Sequence, residues 1–328
     1  MAETFFDLSK KIFRIKNADD FNQRAIEVYN YQYQNNIVYK QYCDLLGRLP
    51  ETVNNIQNIP FLPISFFKTK VVKTENFSAE IIFSSSGTTG MVTSRHHLRS
   101  LSLYRQSFSI AFEQNYGQIS QYIVVGLLPS YLERDGSSLV YMVNQLISES
   151  NHPNSGFYLN NLAELADFLA TYKGNRKIML IGVSYALLDL AENFNLDLSN
   201  CVVMETGGMK GKRKEMTKPE LHAQLKTAFK TDQIHSEYGM TELLSQAYAK
   251  SDGQFHTPPW MKVLIREHND PFAFTNKKSG GINIIDLANL STCAFIATDD
   301  LGKVSGNHFE VLGRFDFADL RGCNLLVQ

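Results

Sequence analysis

The chain reads as an α/β protein: a mostly parallel sheet covered by helices, followed by a smaller β-rich part. Three observations predict this. Apolar runs such as Tyr122-Ile123-Val124-Val125-Gly126-Leu127-Leu128, Ile178-Met179-Leu180-Ile181 and Cys201-Val202-Val203-Met204 have the continuous character of strands buried on both faces. Amphipathic stretches alternate with them at 98–114, 137–149, 161–172, 183–193 and 217–230. After about residue 245 the pattern shifts to short strand-like runs at 261–267, 281–287, 293–298 and 303–312.

Taken in order, residues 1–60 read as helical, with Phe21, Ala25, Val28 and Tyr29 on one face, and Pro60 and Pro63 close this section. Within the alternating region, Asn161 with Glu164 and Thr217 with Glu220 carry capping-box spacing, and Pro219 sits in the first turn of the second helix. Near the C-terminus Gly306-Asn307 predicts a hairpin turn. The ends of parallel strands are where α/β proteins bind ligands. Three turns follow predicted strands: Ser84–Gly90, Gly207-Gly208 and Tyr238–Glu242.

Composition narrows the function. The 328 residues carry 32 basic and 33 acidic side chains, a net charge of −1, which leaves no electrostatic case for nucleic acid. Cys43, Cys201, Cys293 and Cys323 are widely spaced, with no C-x-x-C pair, so neither a disulfide scaffold nor a zinc site is expected and a reducing cytoplasm fits. The N-terminus has no signal-peptide pattern, and no apolar run approaches a membrane span.

The segment Ser84-Ser85-Ser86-Gly87-Thr88-Thr89-Gly90 follows the apolar run Ile81-Ile82-Phe83. Glycines let a backbone turn sharply, successive N–H groups form an anion-binding concavity, and hydroxyls add neutral donors. It is not a Walker loop, because Met91, Val92 and Thr93 follow Gly90 where Gly-Lys-Ser/Thr would be needed. The segment Glu237-Tyr238-Gly239-Met240-Thr241-Glu242 places a threonine and a carboxylate just past another strand. Together they point to a site for a nucleotide phosphate with a carboxylate available for a metal; alone, either is equally a surface turn.

These residues resemble the adenylate-forming enzymes: acyl-CoA synthetases, luciferases and nonribosomal peptide adenylation domains. Ser85-Ser86-Gly87-Thr88-Thr89-Gly90 looks like their phosphate loop, and Tyr238-Gly239-Met240-Thr241-Glu242 like their Tyr-Gly-x-Thr-Glu segment. Thr298-Asp299-Asp300-Leu301-Gly302 is similar to their Thr-Gly-Asp-Leu-Gly, and Gly313-Arg314-Phe315-Asp316 with Arg321-Gly322 to their hinge. Within that superfamily, Ile59-Pro60-Phe61-Leu62-Pro63-Ile64-Ser65-Phe66-Phe67-Lys68 and Leu320-Arg321-Gly322-Cys323-Asn324-Leu325-Leu326 resemble the acyl-protein synthetase family of the bacterial luminescence fatty acid reductases.

The resemblance implies the large-domain fold of adenylate-forming enzymes with the C-terminal lid domain absent. The patterning along the chain divides it into an N-terminal helical segment over 1–77, an α/β subdomain over 78–244, read as nucleotide-binding, and a β-rich subdomain and tail over 245–328. The resemblance further implies ATP and Mg²⁺, a carboxylic acid substrate of fatty-acid type, and an acyl-CoA reductase-like protein partner. On this reading Ser85–Gly90 holds the β- and γ-phosphates, Thr241 contacts the α-phosphate, and Glu242 holds Mg²⁺. Tyr238 stacks near adenine beside Gly207 and Gly208, with Gly239 in the same turn; Asp300 accepts the ribose hydroxyls, with Arg314 nearby. Cys323 accepts the acyl group, its thiolate favoured by Arg321, or else is a small buried hydrophobe.

Departures from the superfamily pattern matter. Val92 and Thr93 fill the usual Pro-Lys slot, with Arg95 as a substitute charge; Asp299 replaces a glycine; and Asp319 stands near the place of a lysine. Lys210, Lys212 and Arg213 are candidates to replace the lid's adenylation lysine, or form a solvated charged loop. His96-His97 could touch phosphate or the acyl carboxylate, but its spacing favours an exposed helix start, and none of the 8 histidines is assigned to a site. Cys43, Cys201 and Cys293 read as core, and Trp260 as a seam residue or part of an acyl tunnel. Two alternatives stay open: an acyl- or aryl-CoA ligase, and a non-catalytic nucleotide-binding subunit of an acyl reductase complex.

Overall fold

The computed structural model describes residues 4–85, 92–129, 136–158, 161–209, 212–214, 216–275 and 279–315. The N-terminal part holds helices α1 (Phe5–Lys11), α2 (Ala18–Asn35) and α3 (Ile37–Leu45), a short strand β1 (Leu62–Pro63) and the single-turn α4 (Phe66–Thr69). A two-stranded hairpin follows, β2 (Ile81–Ser84) and β3 (Arg95–Leu98). Next comes the alternating region: α5 (Leu101–Tyr116), β4 (Tyr122–Leu127), α6 (Ser138–Ser150), β5 (Gly156–Phe157), α7 (Leu162–Thr171), β6 (Lys177–Val183), α8 (Ser184–Asn193), β7 (Val202–Thr206), α9 (Lys218–Phe229) and β8 (His235–Tyr238). Strands β9 (Ala247–Ala249), β10 (Met261–Arg266), β11 (Gly280–Asp286), β12 (Phe295–Ser305) and β13 (His308–Arg314) complete the order.

The alternating region builds one sheet in the order β5-β4-β6-β7-β8-β9. All its pairings are parallel except β8 with β9. Its central strands are buried on both faces, which is why they lack polar alternation in sequence. Helix starts follow local chemistry: Asn17, Asn36, Ser137, Asn161 and Thr217 each accept a first-turn amide through their side chains. Thr217 and Glu220 form the reciprocal capping box with proline in the first turn, as their spacing predicts.

The second sheet runs β1-β12-β11-β10, with β13 added to β12. The predicted hairpin turn is present: Ser305 pairs with His308, and Gly306 adopts φ +59°, where a side chain is disfavoured. The runs at 293–298 and 303–312 do not match separate strands, because β12 is continuous through Thr298–Leu301. Strand β1 pairs in parallel with β12 at Ile296 and Ala297, so the N-terminal segment is built into this sheet.

Buried side-chain amides reinforce that docking. Gln32 donates to the carbonyls of Asn289 (3.0 Å) and Leu290 (3.2 Å) and accepts the amide of Ala294 at 2.9 Å. Asn36 donates to the Thr292 carbonyl at 2.7 Å, which also receives the Thr74 hydroxyl at 2.6 Å. Tyr39 stacks on Phe295 with ring centroids 5.9 Å apart.

Trp260 sits at the seam and is fully buried. Its indole N–H donates to Ser245 (2.8 Å) and Ser107 (3.2 Å), and its ring meets Phe13 edge-on at 4.8 Å. Cys43 and Cys293 are core, whereas Cys201 is half-buried. Trp260→Ala should lower unfolding free energy by about 3–5 kcal/mol. Trp260→Phe, which keeps one aromatic ring but gives up the indole N–H and part of the volume, should lose less, about 1–3 kcal/mol, both measured by urea titration.

Candidate active site

Three segments come together here: His96 of β3 reaches the Thr241 carbonyl beyond β8, and β7 pairs with β8. The first is the β2–β3 hairpin. Ser85 donates its amide to the Ser94 carbonyl (3.1 Å), and the Ser94 amide donates to Ser85 Oγ (2.9 Å), closing the base of the hydroxyl-rich loop. Ser86, Gly87, Thr88, Thr89 and Gly90 lie outside the described residues. Val92 and Arg95 are exposed, and Thr93 is half-buried.

The second turn follows β7. Gly207 adopts φ +68° and is exposed, and Gly208 is partly so, which leaves backbone open at the strand end. The third follows β8, which lies beside β7 with Thr206 opposite Glu237. Gly239 is exposed and Thr241 is partly exposed, whereas Glu242 is 5% exposed.

Strands β12 and β13 supply the other wall. Asp300 and Arg314 are cross-strand partners, and Arg314 Nε donates to Asp300 Oδ1 at 3.0 Å. The Tyr238 hydroxyl donates to Asp300 Oδ2 at 2.7 Å. Burial, then the Asp300 carboxylate, drives the Tyr238 hydroxyl well above its ordinary pKa, so it stays a donor. The Tyr238 ring packs edge-on against Phe309 at 5.3 Å and tilted against Phe255 at 5.8 Å. The structure thus joins Tyr238, Asp300 and Arg314 in one hydrogen-bonded group, with Gly207 and Gly208 following the neighbouring strand.

The Thr241–Glu242 turn is held from behind. Asp286 Oδ2 accepts the amides of Leu244 (2.8 Å) and Ser245 (2.9 Å), and its Oδ1 accepts the Ser245 hydroxyl (2.6 Å) and the Ala288 amide (3.2 Å). Asn289 donates to the carbonyls of Glu242 (2.7 Å) and Cys293 (2.9 Å). His96 contacts the Thr241 carbonyl through Nδ1 at 2.7 Å. The expectation of an exposed helix start at His96-His97 is corrected: both lie in β3, helix α5 begins at Leu101, and His96 is fully buried. Strand alternation points His96 inward while Arg95 points out.

Burial also raises the pKa of the Glu242 carboxyl. The Ser94 hydroxyl faces it without a hydrogen bond of sound geometry, and Lys68 and Arg314 act on it only through space. Among the described residues no cation pairs with it, so it fits a hard cation that brings its own charge. Among those residues, too, no cluster of His, Cys, Asp and Glu forms a metal site by itself.

Two further carboxylates lie buried behind the strand ends. Burial raises the Glu205 pKa, but the paired Lys218 ammonium and hydrogen bonds from His222, Lys218 and Ser236 outweigh it and hold the group at about 2. Glu237 has a hydrogen bond from Thr206 but no cation, and burial pushes it to about 7. A Cβ on Gly239 would meet Glu237 Oε1 at 2.5 Å, so the turn passes tightly over this carboxyl.

Of the candidates for a replacement lysine, Arg213 is bound to Asp189 and Glu192 on α8. Lys212 lines a cavity of about 340 Å³ with Pro129, Leu162 and Tyr185, and Lys210 lies outside the described residues. Cys323, Arg321 and Asp319 also lie outside them. Sequence reasoning missed His96, Asp286, Asn289 and Glu237. The signal for two of them was present: Asp286 and Asn289 interrupt the apolar run Ile284–Leu290, where a polar group needs a buried partner.

The family described as "Acyl-protein synthetase, LuxE" matches residues 14–328. The chain is 25% identical over 325 residues to a "Long-chain-fatty-acid--luciferin-component ligase" of Vibrio harveyi, covering 92% of this chain and 85% of that protein. It is 26% identical over 334 residues to a protein of the same name from Aliivibrio fischeri, covering 91% and 85%. A solved 2-hydroxyisobutyryl-CoA ligase, in an open conformation with 2-HIB-AMP and CoA, superposes with TM-score 0.68 at 12% identity, covering 92% of this chain and 77% of that one. ATP-bound MatB from Rhodopseudomonas palustris superposes with TM-score 0.55 at 15% identity over 73% of this chain. The chain spans about half of MatB's length, 49%. The fold is therefore that of the adenylate-forming ligases.

The two buried carboxyls set opposite pH dependences. Glu237, raised from 4.5 to about 7, keeps its proton in the folded chain where the unfolded chain has lost it. Stability from this group therefore falls as pH rises from 4.5 to 7, by up to about 3 kcal/mol, and then levels. Glu237→Gln should raise unfolding free energy by about that amount at pH 8 and leave it unchanged at pH 4, as read from urea titrations at both values. Glu205, lowered from 4.5 to about 2, loses its contribution as pH falls through that window instead.

Proposed function

This chain belongs to the acyl-protein synthetase family LuxE, and we propose that it activates a fatty acid with ATP and transfers the acyl group to a protein thiol. The observation that carries this reading is Asp300, buried and held between the Tyr238 hydroxyl and the Arg314 guanidinium. A fixed carboxylate is the acceptor that the two hydroxyls of a ribose require. The exposed Gly207 and partly exposed Gly208 leave backbone open for the base.

In the first step a carboxylate oxygen of the acid attacks the α-phosphorus of ATP, the bond to the bridging oxygen breaks, and pyrophosphate leaves. In the second a thiolate attacks the acyl carbonyl, the mixed anhydride bond breaks, and AMP leaves. Neither step needs a general base to create its nucleophile, so positioning and charge stabilisation dominate. Thr241 contacts the α-phosphate, and Glu242 would hold Mg²⁺, which when bound would supply charge neutralisation on the phosphates. Ser85 through Gly90 receives the β- and γ-phosphates, and Gly207, Gly208, Tyr238 and Gly239 border the adenosine.

The fatty-acid substrate is supported by the relatives' name, long-chain-fatty-acid--luciferin-component ligase. The thiol is Cys323, which passes the acyl group on to an acyl-CoA reductase-like partner. Among the described residues no helix is long and apolar enough to cross a membrane; we place the chain in the cytoplasm, where free thiols persist.

The test is fatty-acid-dependent exchange of labelled pyrophosphate into ATP. The unmodified chain should catalyse it, and absence of exchange with every acid tried would sink the reading. Glu242→Gln should lower the exchange rate on the order of 100- to 1,000-fold. Asp300→Ala should raise the KM for ATP roughly 10- to 100-fold through loss of a charged hydrogen-bond acceptor. Cys323→Ser should leave exchange intact yet abolish the hydroxylamine-labile acyl-protein; persistent labelling would move the acceptor elsewhere.

A further inference from the structure

His96 is a buried side chain that joins the β2–β3 hairpin directly to the Thr241–Glu242 turn. It stands two residues beyond Ser94, whose backbone closes the base of that hairpin on Ser85. Its imidazole crosses from β3 to the Thr241 carbonyl at 2.7 Å. On the far side Nε2 lies 2.9 Å from both Thr292 Oγ1 and Asn289 Oδ1. The ring is fully buried and meets Phe67 edge-on at 5.8 Å, so it has little freedom to turn.

The network assigns the proton. A carbonyl only accepts, so Nδ1 carries the hydrogen and points it at Thr241. Nε2 is then an acceptor. Asn289 spends both amide hydrogens on the carbonyls of Glu242 and Cys293, so its Oδ1 cannot donate. The one hydrogen between them is that of the Thr292 hydroxyl, 2.9 Å from Nε2 and 2.6 Å from Asn289 Oδ1. Burial keeps the imidazole neutral at pH 7, with its pKa lowered to about 4. Titration of His96 is therefore no part of its role.

We propose that His96 is a positioning residue: its imidazole fixes the Thr241–Glu242 backbone relative to Ser85 and Ser94 at the base of the β2–β3 hairpin, so that these two parts of the site keep one spacing. A hydrophobic ring of the same size would fill the space but leave the Thr241 carbonyl unpaired, and the turn could shift against the hairpin. This rests on the function proposed above, because the two segments matter jointly only if one polyphosphate spans them.

The experiment is fatty-acid-dependent pyrophosphate exchange, with kcat expressed per folded molecule, KM for ATP, and thermal midpoint recorded together. His96→Phe should lower kcat on the order of 100-fold, the effect of displacing a reacting group by about 1 Å. KM for ATP should change by less than about 3-fold, since the loss falls on the transition state rather than on ground-state binding. His96→Asn keeps an N–H near the Nδ1 position and should recover to within about 10-fold of the unmodified chain. A merely structural histidine predicts the reverse: a lower thermal midpoint with kcat per folded molecule unchanged in His96→Phe, which would overturn the assignment. Should His96→Phe fail to fold, Thr292→Val takes its place, because it keeps the imidazole and removes the hydroxyl that anchors Nε2. Its kcat should fall about 10-fold, and an unchanged value would equally overturn the assignment. Failure of the functional reading is separate, since it shows as no exchange in the unmodified chain.

Discussion

The carboxylate of Asp286 is the constraint on which the site depends. It is fully buried, and burial raises its pKa, yet four donors on residues 244, 245 and 288 converge on its two oxygens. A buried carboxyl is tolerated when its lone pairs are satisfied and is costly otherwise. The turn after β8 therefore has one low-energy path, the one that delivers its amides to Asp286. Asn289, three residues on, repeats the logic with carbonyls in place of amides. Between them they fix the backbone that carries Thr241 and Glu242, while Trp260 closes the space behind.

How much of this was legible in sequence depended on the kind of interaction. The parallel sheet was legible because strands buried on both faces must be continuously apolar, as Ile178–Ile181 and Val202–Met204 are. Helix starts at Asn161 and Thr217 were legible because capping acts over a few residues. Tyr238, Asp300 and Arg314 were singled out through resemblance, and the hydrogen bonds among them follow from chain paths that no local pattern reveals. The β2–β3 hairpin was harder to read. Each strand is only four residues long, and Arg95-His96-His97 looks solvated when read without its partner strand. His96 is buried because Thr241 and Thr292 meet it from 145 and 196 residues away in sequence. Such separations leave no local trace.

The electrostatics divide the carboxylates by role. Asp300 is buried and paired, one oxygen with Tyr238 and the other with Arg314. Glu205 is ionised because Lys218 and several hydrogen bonds compensate its burial. Glu237 and Glu242 lack a paired cation, and burial holds both toward the protonated form. Glu242 follows the partly exposed Thr241, whereas Glu237 lies in β8 directly under Gly239.

The pairing of β1 with β12 has a consequence for how the chain comes together. Leu62 and Pro63 wait for Ile296 and Ala297, and Gln32 for carbonyls some 257 residues downstream. As the polypeptide is synthesised from its N-terminus, the apolar faces of α2 and α3 stay without their final cover until nearly the whole chain is made. Contacts this distant in sequence slow folding and prolong the exposure of apolar surface. Because β12 also bears Asp300, the strand that releases the N-terminal helices from this waiting state is the one that brings Asp300 to Tyr238. The nascent chain therefore acquires its tertiary cover and this hydrogen-bonded group in a single late event.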